Sequence, residues 1–162
     1  MPKVMVVDDH DLPRNGLIAI LSAADDLRVV AEAKTGREAI DLARKSLPDV
    51  VLTDVRMPNM DGPEATRRTK EERPRTAVII VTSHESPKYL RQAVEAGAAG
   101  DLLKDVTRER LVNAVRETAE RLVLSPETVK SHVAAILSEL ELSDPTQAAV
   151  HAVRHGLAQP VV

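Results

Sequence analysis

Short apolar runs alternate along the chain with longer segments whose apolar residues recur every three or four positions. The runs are rich in β-branched residues and too short for helices, which is typical of strands buried on both faces of a sheet. They lie at residues 3–7, 28–33, 49–55, 76–82 and 100–104. Between them, helices are predicted at residues 12–24, 36–47, 63–72 and 87–98, and Gly97 can supply a left-handed cap at the end of the last of these. This alternation predicts an α/β fold, a doubly wound parallel sheet with helices on both faces.

A helix-rich stretch follows the last predicted strand. Thr107 is a suitable N-cap for a fifth helix, which has no evident stop before Leu124. Ser125 and Pro126 then begin a further helix as N-cap and first helical residue, and a last helix starts near Ser143. No linker rich in Pro, Gly or Ser separates the two parts. A small all-α segment is therefore predicted to follow the α/β domain directly.

Composition narrows the class of protein. The 162 residues suffice for one domain with a small appendage. Cysteine is absent, no 18-residue apolar run occurs and the N-terminus is unlike a signal peptide, so we expect a cytoplasmic protein without disulfides or membrane contact. The net charge of −3 excludes a global attraction to nucleic acid, so any DNA contact must be local. Tyr89 is the only aromatic residue, which argues against base stacking.

Polar residues stand where the predicted strands end. They are Asp8, Asp9, Asp54, Thr82 and Lys104. Because ligands of a doubly wound sheet bind beyond the carboxyl ends of its strands, we expect these five groups to converge on one rim. Neighbouring carboxylates repel one another unless a cation joins them, and the hard ion Mg²⁺ suits an all-oxygen site. Beside such an ion, an Asp carboxylate can attack phosphorus while a Lys stabilises the phosphoryl oxygens.

Four stretches of the chain resemble the receiver domains of two-component response regulators. They are V-M-V-V-D-D-H, P-D-V-V-L-T-D-V-R-M-P-N-M-D-G, V-I-I-V-T-S and D-L-L-K-D, within a similarity that runs from residue 3 to about 117. The resemblance implies a five-stranded, flavodoxin-like sheet of strand order 2-1-3-4-5. It also implies a signalling protein that catalyses only its own phosphotransfer and dephosphorylation.

The same resemblance implies roles for individual residues. Asp54 would be the phosphoacceptor, with a sensor histidine kinase as the phosphodonor. Lys104 would pair with the phosphoryl group, and Thr82 would be the switch hydroxyl. Mg²⁺ would be held by Asp8, Asp9, Asp54 and the main-chain carbonyl of Arg56.

One position departs from the family pattern. The residue three before the lysine is usually Tyr or Phe, whose ring moves inward when the threonine engages the phosphate, but here it is Asp101. Because a charged side chain enters an apolar slot only at high cost, we expect Asp101 to stay outside the core. Signalling would then reach the last helices by another route, unless Asp101 is simply an exposed residue without consequence.

The C-terminal stretch L-S-P-E-T-V-K-S-H-V-A-A-I-L-S-E-L resembles the recognition helix of a LuxR-type helix-turn-helix, the output domain of the NarL/FixJ subfamily. The resemblance divides the chain into a receiver at residues 1–118 and a partial DNA-binding segment at residues 119–162. It implies that double-stranded DNA is contacted by Thr128, Lys130, Ser131 and His132. From residue 121 onward the chain contains three Lys or Arg residues and four acidic residues. We therefore expect one copy to bind DNA weakly and a homodimer to be needed for binding.

The first helix of that output domain and the interdomain linker have no counterpart here. The phrase T-A-E-R-L-V-L, which matches the second output helix, follows directly on the receiver's last helix. Either these residues are deleted, and one helix runs from Thr107 to about Val123, or an omitted stretch leaves a break between Arg116 and Glu120. A remnant of roughly 40 residues is at the limit for independent folding, so it would need to pack on the receiver or a partner.

Two alternatives to a DNA-binding regulator follow from the same residues. The helical tail could serve only dimerisation or partner docking, which predicts no salt-sensitive DNA binding. A Mg²⁺-dependent phosphohydrolase would share the attack by an Asp on phosphate. Such hydrolases commonly carry a second Asp two residues after the nucleophile, where this chain has Arg56.

Overall fold

The computed structural model describes residues 1–83 and 86–122, which form five parallel strands and five helices in alternation. The strands are β1 (Lys3–Val7), β2 (Arg28–Ala33), β3 (Val50–Asp54), β4 (Ala77–Thr82) and β5 (Gly100–Leu103). The helices are α1 (Asp11–Ser22), α2 (Gly36–Ser46), α3 (Gly62–Glu72), α4 (Pro87–Glu95) and α5 (Arg108–Arg121). The predicted α/β class is confirmed, and every predicted strand end lies within one residue of the observed one.

The strand order is β2-β1-β3-β4-β5, as the family resemblance implied. The chain passes from β1 to β2 on one side and returns to β3 on the other, so the order reverses between β1 and β3. Val7 is level with Thr53 and Asp54 with Val81, so the next residue after β1, Asp8, reaches the level of Asp54. The carboxyl ends of these strands therefore flank one crevice.

The core has two layers because successive strand residues point to opposite faces of the sheet. Val4 and Val6 pack with Leu21 of α1 and Val115 of α5, all nearly inaccessible to solvent. Met5 and the other alternate strand residues pack against α2 on the opposite face. The strands β3 and β4 are buried along their whole length, whereas β2 is a partly exposed edge.

The helix ends follow local chemistry. Thr107 caps α5, as predicted, with its hydroxyl accepting a hydrogen bond from the Arg110 N–H. The predicted end of α4 at residue 98 is wrong, because the helix stops at Glu95, but the predicted left-handed cap at Gly97 is confirmed. Gly97 adopts a φ of 98°, and the N–H of Ala98 donates to the Ala93 carbonyl, the pairing of a left-handed C-cap.

Helix α5 runs without interruption over residues 116–120. It ends at Arg121 with Leu122 as its C-cap, within two residues of the predicted end. The Arg75 guanidinium donates to the Leu122 carbonyl at 3.1 Å, so the loop before β4 satisfies an acceptor at this helix end. Among the described residues, none of the helices combines the length and apolar content that a bilayer span requires.

Candidate functional site

The carboxyl ends of β1 and β3 bring three aspartates together. Asp8 follows β1 and is 1% exposed, Asp54 ends β3 and is 6% exposed, and Asp9 is half-buried. One ligand atom from each of them, and one from His10, lie within 4.8 Å of one another. The structure therefore brings Asp8, Asp9 and Asp54 together at one edge of the sheet, as predicted.

Lys104 joins two of these carboxylates. It follows β5, and its N–H donates to the Thr82 carbonyl at 2.7 Å, which ties it to the end of β4. Its Nζ lies 2.8 Å from Asp8 Oδ2 and 3.4 Å from Asp54 Oδ1. Residues from three strand ends therefore meet at one half-buried ammonium group.

The electrostatics of the pocket are dominated by negative charge. Burial and the Asp8 carboxylate raise the pKa of Asp54, although Lys104 and the Val55 N–H oppose this shift. Burial by itself would lower the pKa of Lys104, but the hydrogen bond with Asp8 and the charge of Asp54 hold it above its ordinary value. Because Lys104 supplies only one positive charge beside three carboxylates, their negative charge is not fully neutralised. The site therefore favours binding of a further cation.

The donor atoms fit a hard divalent ion. Asp8 Oδ2 and Asp9 Oδ1 are buried, and in the described part of the chain their contacts are ion pairs, with Lys104 Nζ at 2.8 Å and with His10 Nδ1 at 3.1 Å. A carboxylate oxygen with a single partner keeps lone-pair capacity that a bound cation can use. Mg²⁺ requires few direct carboxylate ligands and keeps several waters, which suits this partly open cluster.

Thr82 and Arg56 lie beside the pocket. Thr82 is buried at the end of β4, where it pairs with Leu103 of β5. Arg56 lines a cavity with Asp9 and Tyr89, and its guanidinium carbon lies 4.9 Å from the centroid of the Tyr89 ring. The cationic side chain therefore lies over the Tyr89 ring, in a cation–π contact.

Asp101 lies on β5 opposite Ile80 and is only partly buried. A charged residue at this position has thus not entered the core, in agreement with the expectation from burial cost. The predicted DNA contacts at Thr128, Lys130, Ser131 and His132 lie outside the described residues.

The sequence interpretation missed two residues that support the pocket. A Cβ on Gly62 would lie 2.4 Å from the Asp54 carbonyl oxygen, so only glycine permits α3 to approach this strand end. Arg14 is 3% exposed, and its guanidinium donates to the main-chain carbonyl of Asp8 at 2.9 Å. No local sequence pattern pointed to Arg14, because its contact with Glu32 joins residues 18 positions apart, and its contact with the Asp8 carbonyl depends on how the chain turns between β1 and α1.

A five-stranded parallel sheet of this order, with a buried aspartate beside a lysine at its switch point, defines a flavodoxin-like α/β domain built around an acidic pocket. Residues 4–116 match the response regulator receiver domain family. The chain therefore belongs to that family, and it is a regulator of the two-component type.

Individual relatives agree with this assignment. The chain is 32% identical to the response regulator VraR of Staphylococcus aureus over 206 positions, covering 97% of this chain and 99% of VraR. It is 29% identical to the transcriptional regulatory protein LnrK of Bacillus subtilis over 218 positions, covering 98% and 99% of the two chains. The solved receiver domain of NarL from Mycobacterium tuberculosis superposes with a TM-score of 0.71 at 41% identity, covering 74% of this chain and 96% of that one.

These alignments also show a difference in length between the chain and its relatives. An alignment of 206 positions with a chain of 162 residues leaves at least 44 positions that VraR fills and this chain does not. The similarity nevertheless extends over nearly the whole of both proteins. The relatives therefore contain an internal stretch that this chain lacks.

Proposed function

We propose that the chain accepts a phosphoryl group on Asp54 from a sensor histidine kinase and uses the modification to control transcription. The observation that carries the first half is the contact of Lys104 Nζ with both Asp8 and Asp54 in one buried acidic pocket. A buried carboxylate paired with an ammonium group has the two parts that phosphoryl transfer needs, a nucleophile and a cation for the phosphoryl oxygens.

The proposed step is a single displacement at phosphorus. A carboxylate oxygen of Asp54 forms a bond to phosphorus as the bond from phosphorus to the histidine nitrogen breaks, and the imidazole leaves with the electron pair of that bond. Lys104 moves from the carboxylates toward the phosphoryl oxygens, whose charge grows in the loose transition state. The buried hydroxyl of Thr82, at the next strand end, becomes a donor to the same oxygens.

Mg²⁺ is the proposed cofactor, with Asp8, Asp9, Asp54 and the main-chain carbonyl of Arg56 as its ligands. When bound, it supplies the positive charge that lets an anionic phosphoryl group approach three carboxylates. The support is that the buried oxygens Asp8 Oδ2 and Asp9 Oδ1 have only ion-pair partners in the described residues, which leaves lone pairs for a metal ion.

Intact-mass spectrometry after incubation with acetyl phosphate and Mg²⁺ tests this function. We expect the wild-type chain to gain one phosphoryl group and Asp54→Asn to gain none. Asp41→Asn changes an exposed aspartate on α2 by the same chemistry and is expected to be modified like the wild type. Equal modification of Asp54→Asn, or modification that is unaffected by EDTA, would refute the proposed site or the proposed cofactor.

For the second half, we propose that residues 119–162 are the output segment and that a phosphorylated homodimer binds double-stranded DNA through Thr128, Lys130, Ser131 and His132. The support is the motif in this segment and the similarity to LnrK, a transcriptional regulatory protein, over nearly the whole of both chains. Because few basic residues are present, pairing of two segments would supply the affinity that one lacks.

Titration of labelled genomic fragments with the chain at two salt concentrations tests DNA binding, with and without acetyl phosphate. We expect binding that strengthens on phosphorylation and weakens with salt, and a loss of affinity in Lys130→Ala. Lys45→Ala, on the receiver helix α2, removes the same charge and is expected to bind like the wild type. Salt-insensitive or absent binding, together with dimerisation on phosphorylation, would favour the alternative of a tail that only pairs subunits.

A further inference from the structure

Arg14 is a charged residue in an apolar setting. It lies on the buried face of α1 with Leu17 and Leu21, and it is 3% exposed. Burying a guanidinium costs free energy unless hydrogen-bond acceptors pair with its N–H groups. The partners of Arg14 must therefore offset the cost of its burial.

The three partners of Arg14 come from three separate elements. Its Nη1 donates to the main-chain carbonyl of Asp8 at 2.9 Å, beyond the end of β1. Its Nη2 donates to Asp11 Oδ1 at 2.6 Å in the first turn of α1, and its Nε donates to Glu32 Oε1 at 3.1 Å on β2. The planar guanidinium fork is suited to such a three-way contact, which a lysine ammonium on a flexible stem cannot reproduce.

The main chain of Asp8 is consequently held from both sides. Its N–H donates to the Ala33 carbonyl of β2 at 3.1 Å, and its carbonyl accepts from Arg14. With the peptide groups fixed, the side chain reaches Lys104 through Oδ2 while Oδ1 accepts from the His10 N–H. The direction in which the Asp8 carboxylate faces the pocket is thus determined through contacts outside the pocket.

The start of α1 has little other local support. His10 occupies the N-cap position without a side-chain cap hydrogen bond, and the first half of the helix contains Pro13 and Gly16. Glycine is a poor helix former, and an uncapped first turn leaves N–H groups without partners. The contacts of Arg14 therefore stabilise the turn that carries both Asp8 and Asp9.

We propose that Arg14 is a positioning residue for the divalent cation: by holding the Asp8 carbonyl against β2 and α1, it fixes the Asp8 and Asp9 carboxylates in the geometry that binds Mg²⁺. This proposal rests on the proposed function, because it concerns the same pocket. Partners of this kind, one step removed from the metal, commonly contribute about 10- to 100-fold to metal affinity.

The sign of the effect separates positioning from simple electrostatics. Arg14 is a cation, so removing its charge makes the surroundings of the pocket more negative and by itself would tighten binding of Mg²⁺. Loss of the positioning contacts would weaken it. If a variant that lacks the positive charge of residue 14 binds Mg²⁺ more weakly, the loss of charge therefore cannot be the cause.

The test is the dissociation constant for Mg²⁺ alone, measured on the full chain by isothermal titration calorimetry. Fluorescence of Tyr89, which lines the cavity beside Asp9, gives a second readout. We expect Arg14→Met to bind Mg²⁺ about tenfold more weakly than the wild type, and Arg14→Lys to bind more weakly but by less. At saturating Mg²⁺, both variants are expected to recover most of the wild-type phosphorylation rate.

Arg116→Met is the matched control, because it removes the same charge from a guanidinium that binds Asp26 at the surface. Its affinity for Mg²⁺ is expected to equal that of the wild type. Affinity in a folded Arg14→Met equal to or tighter than the wild type would overturn the proposal, and if that variant fails to fold, an unchanged affinity in Arg14→Lys would do so. If the wild type itself binds no Mg²⁺, the proposed function fails instead.

Discussion

At the scale of single residues, the pocket is assembled at a cost to stability. Asp54 is almost fully buried beside Asp8, and one lysine is shared between the two carboxylates. A carboxylate whose pKa is raised by folding binds its proton more tightly in the folded protein than in the unfolded chain. The ionised form of Asp54 therefore destabilises the fold, as expected where a residue is placed for chemistry.

This cost predicts how stability depends on pH. Asp54→Asn removes the buried charge and is expected to raise the free energy of unfolding at pH 7 by about 1 kcal/mol, the scale of a typical point substitution. The gain should shrink as the pH falls through the raised pKa of Asp54, and vanish below the ordinary aspartate value of about 3.9, where the wild type is protonated in both states. Urea denaturation at several pH values without divalent cations measures it.

Asp41→Asn, at an exposed position, is the control and is expected to change stability by less than about 0.5 kcal/mol. A gain in Asp54→Asn that grew toward acidic pH would contradict the sign argued for Asp54.

Gly62 predicts a second effect at residue scale. In Gly62→Ala the new methyl group would meet the Asp54 carbonyl oxygen at 2.4 Å and the Val55 Cα at 2.9 Å, so the backbone itself must shift. We expect a loss of about 2 kcal/mol in unfolding free energy and slower phosphorylation of Asp54. Gly16→Ala, on the exposed side of α1 with no atom near the added carbon, is expected to gain about 0.5–1 kcal/mol. Equal thermal midpoints for the two variants would show that the close approach is tolerated.

At the scale of elements, the helix ends show where local chemistry is satisfied and where it is not. Thr35 and Asp61 cap α2 and α3 by accepting hydrogen bonds from the N–H groups three residues later. The other end of α2 differs, since Leu47 takes a left-handed φ of 51° that glycine normally provides. The following Pro48 prevents the helix from continuing.

Leu47→Gly is therefore expected to stabilise the protein by about 0.5–1 kcal/mol, because the left-handed conformation costs glycine nothing. Leu47 is 44% exposed, which limits the apolar burial that is lost. Leu12→Gly makes the same change at an 84% exposed position inside α1 and is expected to cost about 1 kcal/mol. Thermal unfolding by circular dichroism compares the two, and a destabilised Leu47→Gly would mean that side-chain burial outweighs backbone strain.

At the scale of the whole molecule, α5 is the last described element that covers the hydrophobic core, and it precedes the C-terminal segment in the chain. Its buried residues Leu111, Ala114 and Val115 cover the sheet face that α1 shares. The relatives contain at least 44 positions that this chain does not, and α5 continues without interruption over residues 116–120. In the described part of the chain, α5 therefore runs to Arg121 as one helix.

This arrangement predicts where the chain can be shortened. A chain ending at Leu122 keeps all of α5 and is expected to fold with a thermal midpoint within a few degrees of the full chain and to be phosphorylated on Asp54. A chain ending at Val106 exposes the apolar face of the sheet and is expected not to fold cooperatively. A large fall in the midpoint of the longer truncation would show that the C-terminal segment packs on the receiver.

Much of this protein can be inferred from its sequence because the information is local and periodic. Buried strands appear as apolar runs, so the strands β1 and β2 were predicted to the residue. Parallel strands place their carboxyl ends on one edge, so Asp8, Asp54 and Lys104 could be predicted to meet. The left-handed cap at Gly97 was also predictable, because glycine is the residue that takes this conformation at a helix end, whereas the last residue of α4 was placed three positions too late.

Only the tertiary structure determined the contacts between residues that are not linked by any pattern in the sequence. The sequence places Arg14 three residues after Asp11, which an α-helix brings together, but only the packing of β1, β2 and α1 brings its guanidinium to Asp8 and Glu32. Likewise, Gly62 is essential only because α3 crosses the carbonyl of Asp54. The physical reason is that burial and pairing depend on distances between segments far apart in the chain, whereas propensity and periodicity act within a few residues.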